Sequence, residues 1–357
     1  MTDKIKVIIV DDSASVRQVL SDVLSSDKSI EVLTAASDPI IAMKYMEKEW
    51  PDVIISDIAM PRKDGLTFVR EIMSIRPTPV IICSALTEEN ADISLEAMAA
   101  GAVTVISKPR IGARDFLHDS ALLLIESVKS AATANVKNFN LKRTVKKIET
   151  QKAALSSQQQ KKIPHDVAEK IIAIGASAGG TQAIETILMS LPDDLPGIVI
   201  VQHMPEKFTE AFAKRLNSFC VLTVKEAEDN ETIKRGVALI APGNFHLTIK
   251  KNVNSYIASV KIGPLISRHR PSVDVLFRSV AQNASSNSLG IILTGMGDDG
   301  AIGLSEMKAA GAKTIAQDKK TSIVFGMPAE AIKKGCVDKV VPLDDIHKEI
   351  IIFSKYK

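Results

Sequence analysis

Ser177 lies in the turn Gly175-Ala176-Ser177-Ala178-Gly179-Gly180, between the apolar run that begins at Ile171 and a helix-compatible stretch. A strand that ends in a glycine-rich turn and feeds a helix can serve two chemistries. The N–H groups at the helix start can cradle a phosphate, or the turn can hold a serine out of the chain as a nucleophile. The spacing here is G-x-S-x-G, which fits the second. It has neither the G-x-G-x-x-G of a dinucleotide turn nor the Gly-Lys-Ser/Thr end of a P-loop. A serine nucleophile needs a base to take its proton and an acid to orient that base. His203, in VIVQHMP, directly follows an apolar run, and Asp298 and Asp299 follow another in LTGMGDDGAIGL. His246, in APGNFHLTI, and His269, in SRHRPS, read as structural or surface residues. In the common α/β-hydrolases the acid precedes the histidine, which is not the order here, but triads are defined by geometry rather than chain order.

The turn around Asp299 also carries a competing reading. Gly295-x-Gly297-x-x-Gly300 is a literal dinucleotide fingerprint, and Asp318 follows the next apolar run about where a ribose-binding acid would stand. Against it, Asp298 and Asp299 put fixed negative charge where a pyrophosphate would lie.

The first half of the chain holds a second constellation: Asp11 and Asp12 after one apolar run, Asp57 after another, then Ser84 and Lys108 after two more. Three carboxylates converging on one edge raise one another's pKa unless a cation is present. Hard oxygen ligands with room left for water suit Mg²⁺. A lysine and a hydroxyl beside them would hold the oxygens of an incoming phosphoryl group.

The elements that must position these residues follow from the hydrophobic pattern. In the first half, strands fit at Lys6 to Val10, Glu31 to Ala35, Val53 to Ser56, Val80 to Cys83 and Val103 to Ile106, with helix-period segments between them. Five βα units predict a doubly wound parallel sheet, with ligands beyond the carboxyl ends of its strands. In the second half, KIIAIGASAGG, GIVIVQHMP, GVALIAPGN, GIILTGMGDDG and KTIAQD repeat the pattern. Ser177, His203 and the two aspartates should then share one sheet edge. The fold class is α/β, with two doubly wound, mainly parallel-sheet domains: a flavodoxin-like one at 1–125 and a Rossmann-like one at 166–357. Residues 126–165 supply a helix end and a basic polar linker.

The chain of 357 residues carries a net charge of +3, which invites a nucleic-acid reading. Eight Lys/Arg and one Glu fall within residues 137–162, and the remainder holds 37 basic and 41 acidic residues. The basic excess therefore belongs to one Gln/Ser/Lys-rich stretch whose single aromatic, Phe139, is too little to stack successive bases, and the second half shows no basic recognition helix. No nucleic-acid partner is expected. No apolar run approaches the ~18 residues of a membrane span, so a cytoplasmic protein without membrane insertion is expected. Cys83, Cys220 and Cys336 are scattered and odd in number, as befits reduced, buried thiols.

Over residues 1–125 the chain resembles the response-regulator receiver family, on VDDS at 10–13, SDIAMPRKDGL at 56–66, CSAL at 83–86 and SKP at 107–109. The resemblance implies that Asp57 accepts a phosphoryl group from a chemotaxis histidine kinase. It implies that Asp11, Asp12, Asp57 and the Ala59 carbonyl bind Mg²⁺, that Ser84 and Lys108 sense the phosphate, and that the Lys108–Pro109 bond is cis. Family members often carry a larger residue than Ala59, where only the backbone oxygen is needed.

The second half is similar to the catalytic domain of the chemotaxis protein-glutamate methylesterase family, on IGASAGG, QHMP, APG, RPSVDVLF at 270–277, LTGMGDDG and FGMP at 325–328. By this resemblance Ser177 is the nucleophile, His203 the general base and acid, and Asp299, which directly precedes the last glycine of its turn, the orienting acid. The Met296 N–H serves the oxyanion hole. Many members have Thr where this chain has Ala178. The implied activity is hydrolysis of glutamate methyl esters on methyl-accepting chemotaxis receptors, with deamidation of glutamine at the same site and no cofactor for the esterase. The resemblance also implies that the unphosphorylated receiver blocks the active-site mouth. The alternative is a regulator whose second half binds a nucleotide or a protein partner without hydrolysis.

Overall fold

The structure, a computed structural model, describes residues 4–109, 114–136 and 166–355. The expected basic linker lies largely outside the described residues. The chain divides into two compact units, Met1–Phe139 and Asn140–Lys357.

The first unit runs β1 (Ile5–Val10), α1 (Ala14–Ser25), β2 (Ile30–Ala36), α2 (Pro39–Met46), β3 (Val53–Ser56), α3 (Gly65–Ile75), β4 (Val80–Ser84), α4 (Glu88–Ala100), β5 (Thr104–Ser107) and α5 (Arg114–Ala132). Its sheet has the order β2-β1-β3-β4-β5, with every neighbouring pair parallel. The five expected strands are found with ends shifted by at most a residue or so. β3 and β4 are buried at every position, as continuous apolar runs covered by helices on both faces must be. Four helix starts have a side-chain cap: Ser13 for α1, Asp38 ahead of Pro39 for α2, Asp64 for α3 and Thr87 for α4. The order reverses between β1 and β3, so the crevice where such sheets bind ligands opens beside Asp11, Asp12 and Asp57.

The second unit runs β6 (Ile171–Ala176), α6 (Gly180–Leu188), β7 (Gly197–Gln202), α7 (Phe208–Asn217), β8 (Thr223–Glu226), β9 (Val237–Ile240), β10 (His246–Asn252), β11 (Ser255–Lys261), α8 (Val273–Asn283), β12 (Ser288–Ile292), α9 (Ala301–Ala309), β13 (Lys313–Gln317), α10 (Met327–Lys333), β14 (Lys339–Val341) and α11 (Leu343–Lys355). A parallel sheet takes the order β14-β13-β12-β6-β7-β9-β8, and β10 and β11 form a separate antiparallel hairpin. The hairpin is held by α8: Leu247, Ile249, Tyr256 and Ala258 join the same buried cluster as Leu276, Phe277 and Val280. β6, β7 and β12 lie side by side at the centre of the sheet. Their carboxyl ends deliver Ser177, His203 and the Asp298-Asp299 turn to one edge, and the chain's direction of winding reverses between β6 and β12.

Among the described residues no helix is long and apolar enough to cross a membrane. All three cysteines are buried and free. Phe277 is fully buried where α8, the hairpin and α9 meet. Phe277→Ala is expected to cost about 3–5 kcal/mol of stability, read as a lower urea midpoint by far-ultraviolet circular dichroism. An unchanged midpoint would contradict this packing.

Candidate active site

Ser177 leaves β6 with its N–H donated to Thr294 O at 3.0 Å, while its carbonyl accepts from Gly180 N at 2.8 Å. Gly179 takes a left-handed φ of 75°, which a side chain rarely adopts. The turn from β12 closes against the serine: a Cβ on Gly295 would stand 2.8 Å from Ser177 Cβ, so only glycine permits that approach. Ser177 is half-buried. The N–H groups of Ala178 and Met296, on the two turns that meet there, donate to no acceptor among the described residues.

Gln202, the last residue of β7 and 1% exposed, ties the serine turn to the next loop. Its Nε2 donates to Ser177 O at 2.9 Å and to His203 O at 3.2 Å. The His203 N–H adds a bond to Ala176 O at 3.1 Å. The His203 ring is nearly buried, and its Nε2 lies 2.8 Å from Asp299 Oδ2. A carboxylate only accepts, so Nε2 carries the proton of that bond, and in the neutral ring the lone pair sits on Nδ1. Nδ1 is buried without a hydrogen-bond partner. The histidine–aspartate pair is thus formed, while the serine hydroxyl does not yet bond the histidine, a separation common in sites without substrate.

Asp299 is 1% exposed and fully used. Besides His203 it accepts from Val273 N at 2.7 Å, Asp274 N at 2.9 Å and Ser272 Oγ at 2.8 Å. The two N–H groups open α8, so the carboxylate caps that helix at its positive end. Burial alone would raise the Asp299 pKa. Hydrogen bonding and attraction from His203, with the Asp274 and Val273 N–H bonds, outweigh burial and hold it well below the usual carboxylate range. Its neighbour Asp298 is exposed and stands 4.0 Å from Arg268. The geometry therefore pairs Asp299, not Asp298, with His203.

Sequence reasoning passed over His269. Its ring stacks on His203 with centroids 3.7 Å apart and planes 8° from parallel. His269 Nδ1 bonds Ser267 O at 2.6 Å. Burial first, then the neighbouring His203 charge, pushes its pKa far down, so it presents a neutral face to His203. His203, His269 and Asp299 bring ligand atoms within 4.8 Å of one another, yet they do not suit a metal. Imidazole lone pairs lie in the ring planes, and two nearly parallel planes 3.7 Å apart cannot aim at one ion. Ser272, Asp274 and Gln202 were also missed. Of these, Ser272 carried a readable signal, as the N-cap ahead of Val273.

The nucleotide reading fails on the same geometry. Asp274 Oδ1 accepts Gly303 N at 2.7 Å, so a carboxylate already occupies the start of α9, where a pyrophosphate would bind. Asp318 caps its own turn, accepting from Thr321 N at 3.0 Å and from the Thr321 hydroxyl.

In the first unit, Asp57 is 3% exposed; its Oδ1 accepts Ile58 N at 2.7 Å and its Oδ2 takes Lys108 Nζ at 2.7 Å. Lys108 Nζ also lies 2.8 Å from the buried Asp11 Oδ2 as an ion pair. Burial foremost, and then the Asp11 charge, raise the Asp57 pKa despite Lys108. Burial would lower the Lys108 pKa, but the two carboxylates outweigh it and raise it. Asp11, Asp12 and Asp57 offer ligand oxygens within 4.8 Å of one another, with Asp12 and Ala59 exposed. Two buried carboxylates that share one lysine, with the pKa of Asp57 raised by burial and by the Asp11 charge, fit a hard divalent cation. Ser84 is buried at the end of β4, with its hydroxyl 3.5 Å from Ala85 O. Among the described residues the cis peptide is Arg270–Pro271, so the expected cis bond at Lys108–Pro109 is trans. Lys108 meets both carboxylates without it.

The depressed Asp299 pKa sets a direction for stability. A carboxyl whose folded pKa lies below its unfolded value contributes stability that is fully present above the unfolded value of about 3.9 and is lost as pH falls through the folded one. The stability gap between the native chain and Asp299→Asn is therefore expected to be widest above pH ~5 and to narrow toward pH ~2, by urea unfolding at each pH. A gap independent of pH would contradict the bonding described.

A family model described as CheB methylesterase matches residues 172–350, and one described as response regulator receiver domain matches residues 7–119. A protein-glutamate methylesterase/protein-glutamine glutaminase of Xanthomonas campestris pv. campestris is 55% identical over 349 residues, covering 96% of this chain and 99% of that protein. One of Chromobacterium violaceum is 55% identical over 355 residues, covering 96% and 97%. The crystal structure of the Thermotoga maritima CheB methylesterase catalytic domain, 42% identical, covers 52% of this chain and 99% of that one with a TM-score of 0.51. With similarity of this order along nearly the whole of both chains, the protein belongs to the CheB methylesterase family, in the form that carries a response regulator receiver domain.

Proposed function

We propose that this chain hydrolyses glutamate methyl esters on chemoreceptors, deamidates receptor glutamine at the same site, and does so faster when Asp57 is phosphorylated by a chemotaxis histidine kinase. The carrying observation is the His203 ring, whose Nε2 is held by Asp299 at 2.8 Å while its buried Nδ1 has no partner. A ring so held is a base waiting for a proton donor, and Ser177 stands on the adjoining turn. The relatives' names supply the substrate class.

In this reading His203 Nδ1 takes the Ser177 proton as Oγ attacks the ester carbonyl. The oxyanion meets the N–H groups of Met296 and Ala178, where one pre-aimed donor is worth about 2.7–4 kcal/mol. The imidazolium is stabilised by Asp299 and returns its proton to the departing methoxide, which leaves as methanol. Water then gives a proton to the same nitrogen and its oxygen to the acyl carbon, which frees the glutamate carboxylate and restores Ser177. From glutamine the first leaving group is ammonia. Ala178 supplies only its backbone here, so its lack of a hydroxyl removes no step.

In the receiver, Asp11, Asp12, Asp57 and the Ala59 carbonyl would hold Mg²⁺, which when bound supplies positive charge beside the phosphoryl acceptor. Lys108 and Ser84 stand ready for the phosphate oxygens. Residues 1–125 and 166–357 are the two working domains of this reading, and the site of action is the cytoplasmic part of the receptor.

Methanol release from methylated receptor cytoplasmic fragments tests the assignment. Release is expected to rise with a small phosphodonor and Mg²⁺; Asp57→Ala should abolish the rise, and Ser177→Ala should lower release to background, a loss on the order of 10⁶-fold in kcat. Normal release by Ser177→Ala would sink the mechanism. Gln202→Leu removes the donors that join the serine and histidine turns. It is expected to lower kcat by about 10- to 100-fold with KM little changed, and an unaltered kcat would show that the clamp does not position the site.

A further inference from the structure

The segment that carries His269 to the stack has an outer side with no role in the chemistry above. It leaves β11 at Lys261 and runs to Arg270. It is fixed by His246 Nε2 to Pro264 O at 2.8 Å, by Arg270 Nε to Asn244 Oδ1 at 3.0 Å, and by Arg270 Nη1 to Gly263 O at 2.5 Å. Ile266 and His269 exchange backbone hydrogen bonds of 3.1 and 2.9 Å across its turn. Ser267 and Arg268, at the tip, hold left-handed φ values of 48° and 66° without being glycine. A non-glycine pair held in this region marks a conformation that the surroundings impose, a feature that clusters at functional sites.

This rigid strap shows water an apolar surface. Ile262 is 70% exposed and Leu265 43% exposed, with exposed Pro264 between them. Large aliphatic side chains left out on a hydrogen-bonded loop mark a binding surface more often than side chains scattered singly do. Cations flank them, each at the exposed end of an ion pair that an incoming carboxylate would have to share: Lys261, 64% exposed, lies 3.1 Å from Asp229, and Arg268, 49% exposed, lies 4.0 Å from Asp298. From Phe245 to Val273 the chain has five Lys/Arg and no Asp or Glu, although the protein outside its linker is net acidic. The inner side of the same strap, through His269, touches the ring of His203. A chain that grips the outer side is thereby held next to the site.

We propose that the Lys261–Arg270 strap is the docking surface for the substrate protein, and that it takes an acidic amphipathic segment flanking the target glutamate. The inference rests on the esterase reading for its substrate class. A glutamyl site is neutral while esterified and anionic otherwise, so a segment bearing several such sites offers carboxylates to Lys261 and Arg268 while its apolar residues cover Ile262 and Leu265. Paired charges give the segment its orientation, and the apolar contact gives residence.

The test uses the full chain and a fluorescently labelled, methylated receptor cytoplasmic fragment, with Kd measured by anisotropy and turnover by methanol release under phosphodonor and Mg²⁺. The variants are Ile262→Asp/Leu265→Asp together, and Lys261→Glu alone. The double variant is expected to raise Kd and KM at least tenfold with kcat retained. Lys261→Glu should raise Kd severalfold at low salt and little at high salt. Labelling of Ser177 by a small fluorophosphonate should proceed at the native rate in both. An unchanged Kd in the double variant would overturn the proposal. So would a parallel loss of labelling, which would make the strap part of the site's framework, or a rise in turnover without phosphodonor, which would assign the face to the receiver. Binding is read apart from turnover, so absence of methanol release by the native chain would count against the esterase reading alone.

Discussion

The catalytic half depends on one buried carboxylate. Asp299 accepts four hydrogen bonds, from His203, Ser272, Val273 and Asp274, and each ties down something different. The bond to His203 fixes the ring and its tautomer. The bonds from Val273 N and Asp274 N cap the start of α8 with a negative charge. The exchange is mutual, because Asp274, in the first turn of α8, caps the start of α9 through Gly303 N at 2.7 Å, and Asp299 lies just ahead of α9. Two helix starts thus satisfy their open N–H groups with one another's carboxylates, which sets both helices and the catalytic loop in one arrangement. A charge taken out of water this completely is tolerable only because every lone-pair direction meets a donor.

The receiver half meets the same difficulty differently. Asp11 and Asp57 are also buried acids at a sheet switch point, but their charge is met by Lys108 and not by a helix start. Asp57 keeps one backbone donor, and its Oδ2 shares the one lysine with Asp11 Oδ2. The Asp299 site is saturated and its charge fixed. The Asp57 site is under-satisfied, so an added cation or a phosphoryl group changes its balance. In the proposed reading the orienting acid has to be constant and the phosphoryl acceptor has to respond, and the donor count at each carboxylate suits that division.

Much of this was legible in the sequence, for a specific reason. Strands buried on both faces must be continuous apolar runs, so β1, β3, β4, β6, β7 and β12 announce themselves, and the residue just past each run lands on the working edge of a parallel sheet. Ser177, His203, Asp57 and Lys108 are readable on that ground. β8 and β14, the edge strands of the larger sheet, were not, because TVKE and KVV are too short and too exposed to show a period. The β10–β11 hairpin turns at Val253-Asn254, with Val253 87% exposed, and has no Asn-Gly or Asp-Gly signal.

The residues that escaped are those whose role exists only in three dimensions. His269 sits in a charged, proline-flanked loop, and nothing local distinguishes it from a surface histidine until Ser267 and Arg268 turn the chain and lay its ring on His203. Gln202 read as the end of a strand, but its side chain bridges two backbone carbonyls that only the β6–β7 pairing brings together. A strand pattern tells which residue reaches the edge, whereas a clamp depends on what the neighbouring strand offers at the same level. By resemblance alone the orienting acid is Asp299 and not Asp298. The physical ground for that choice is the start of α8, since only the acid that faces those open N–H groups can be buried as a charge and still hold the histidine.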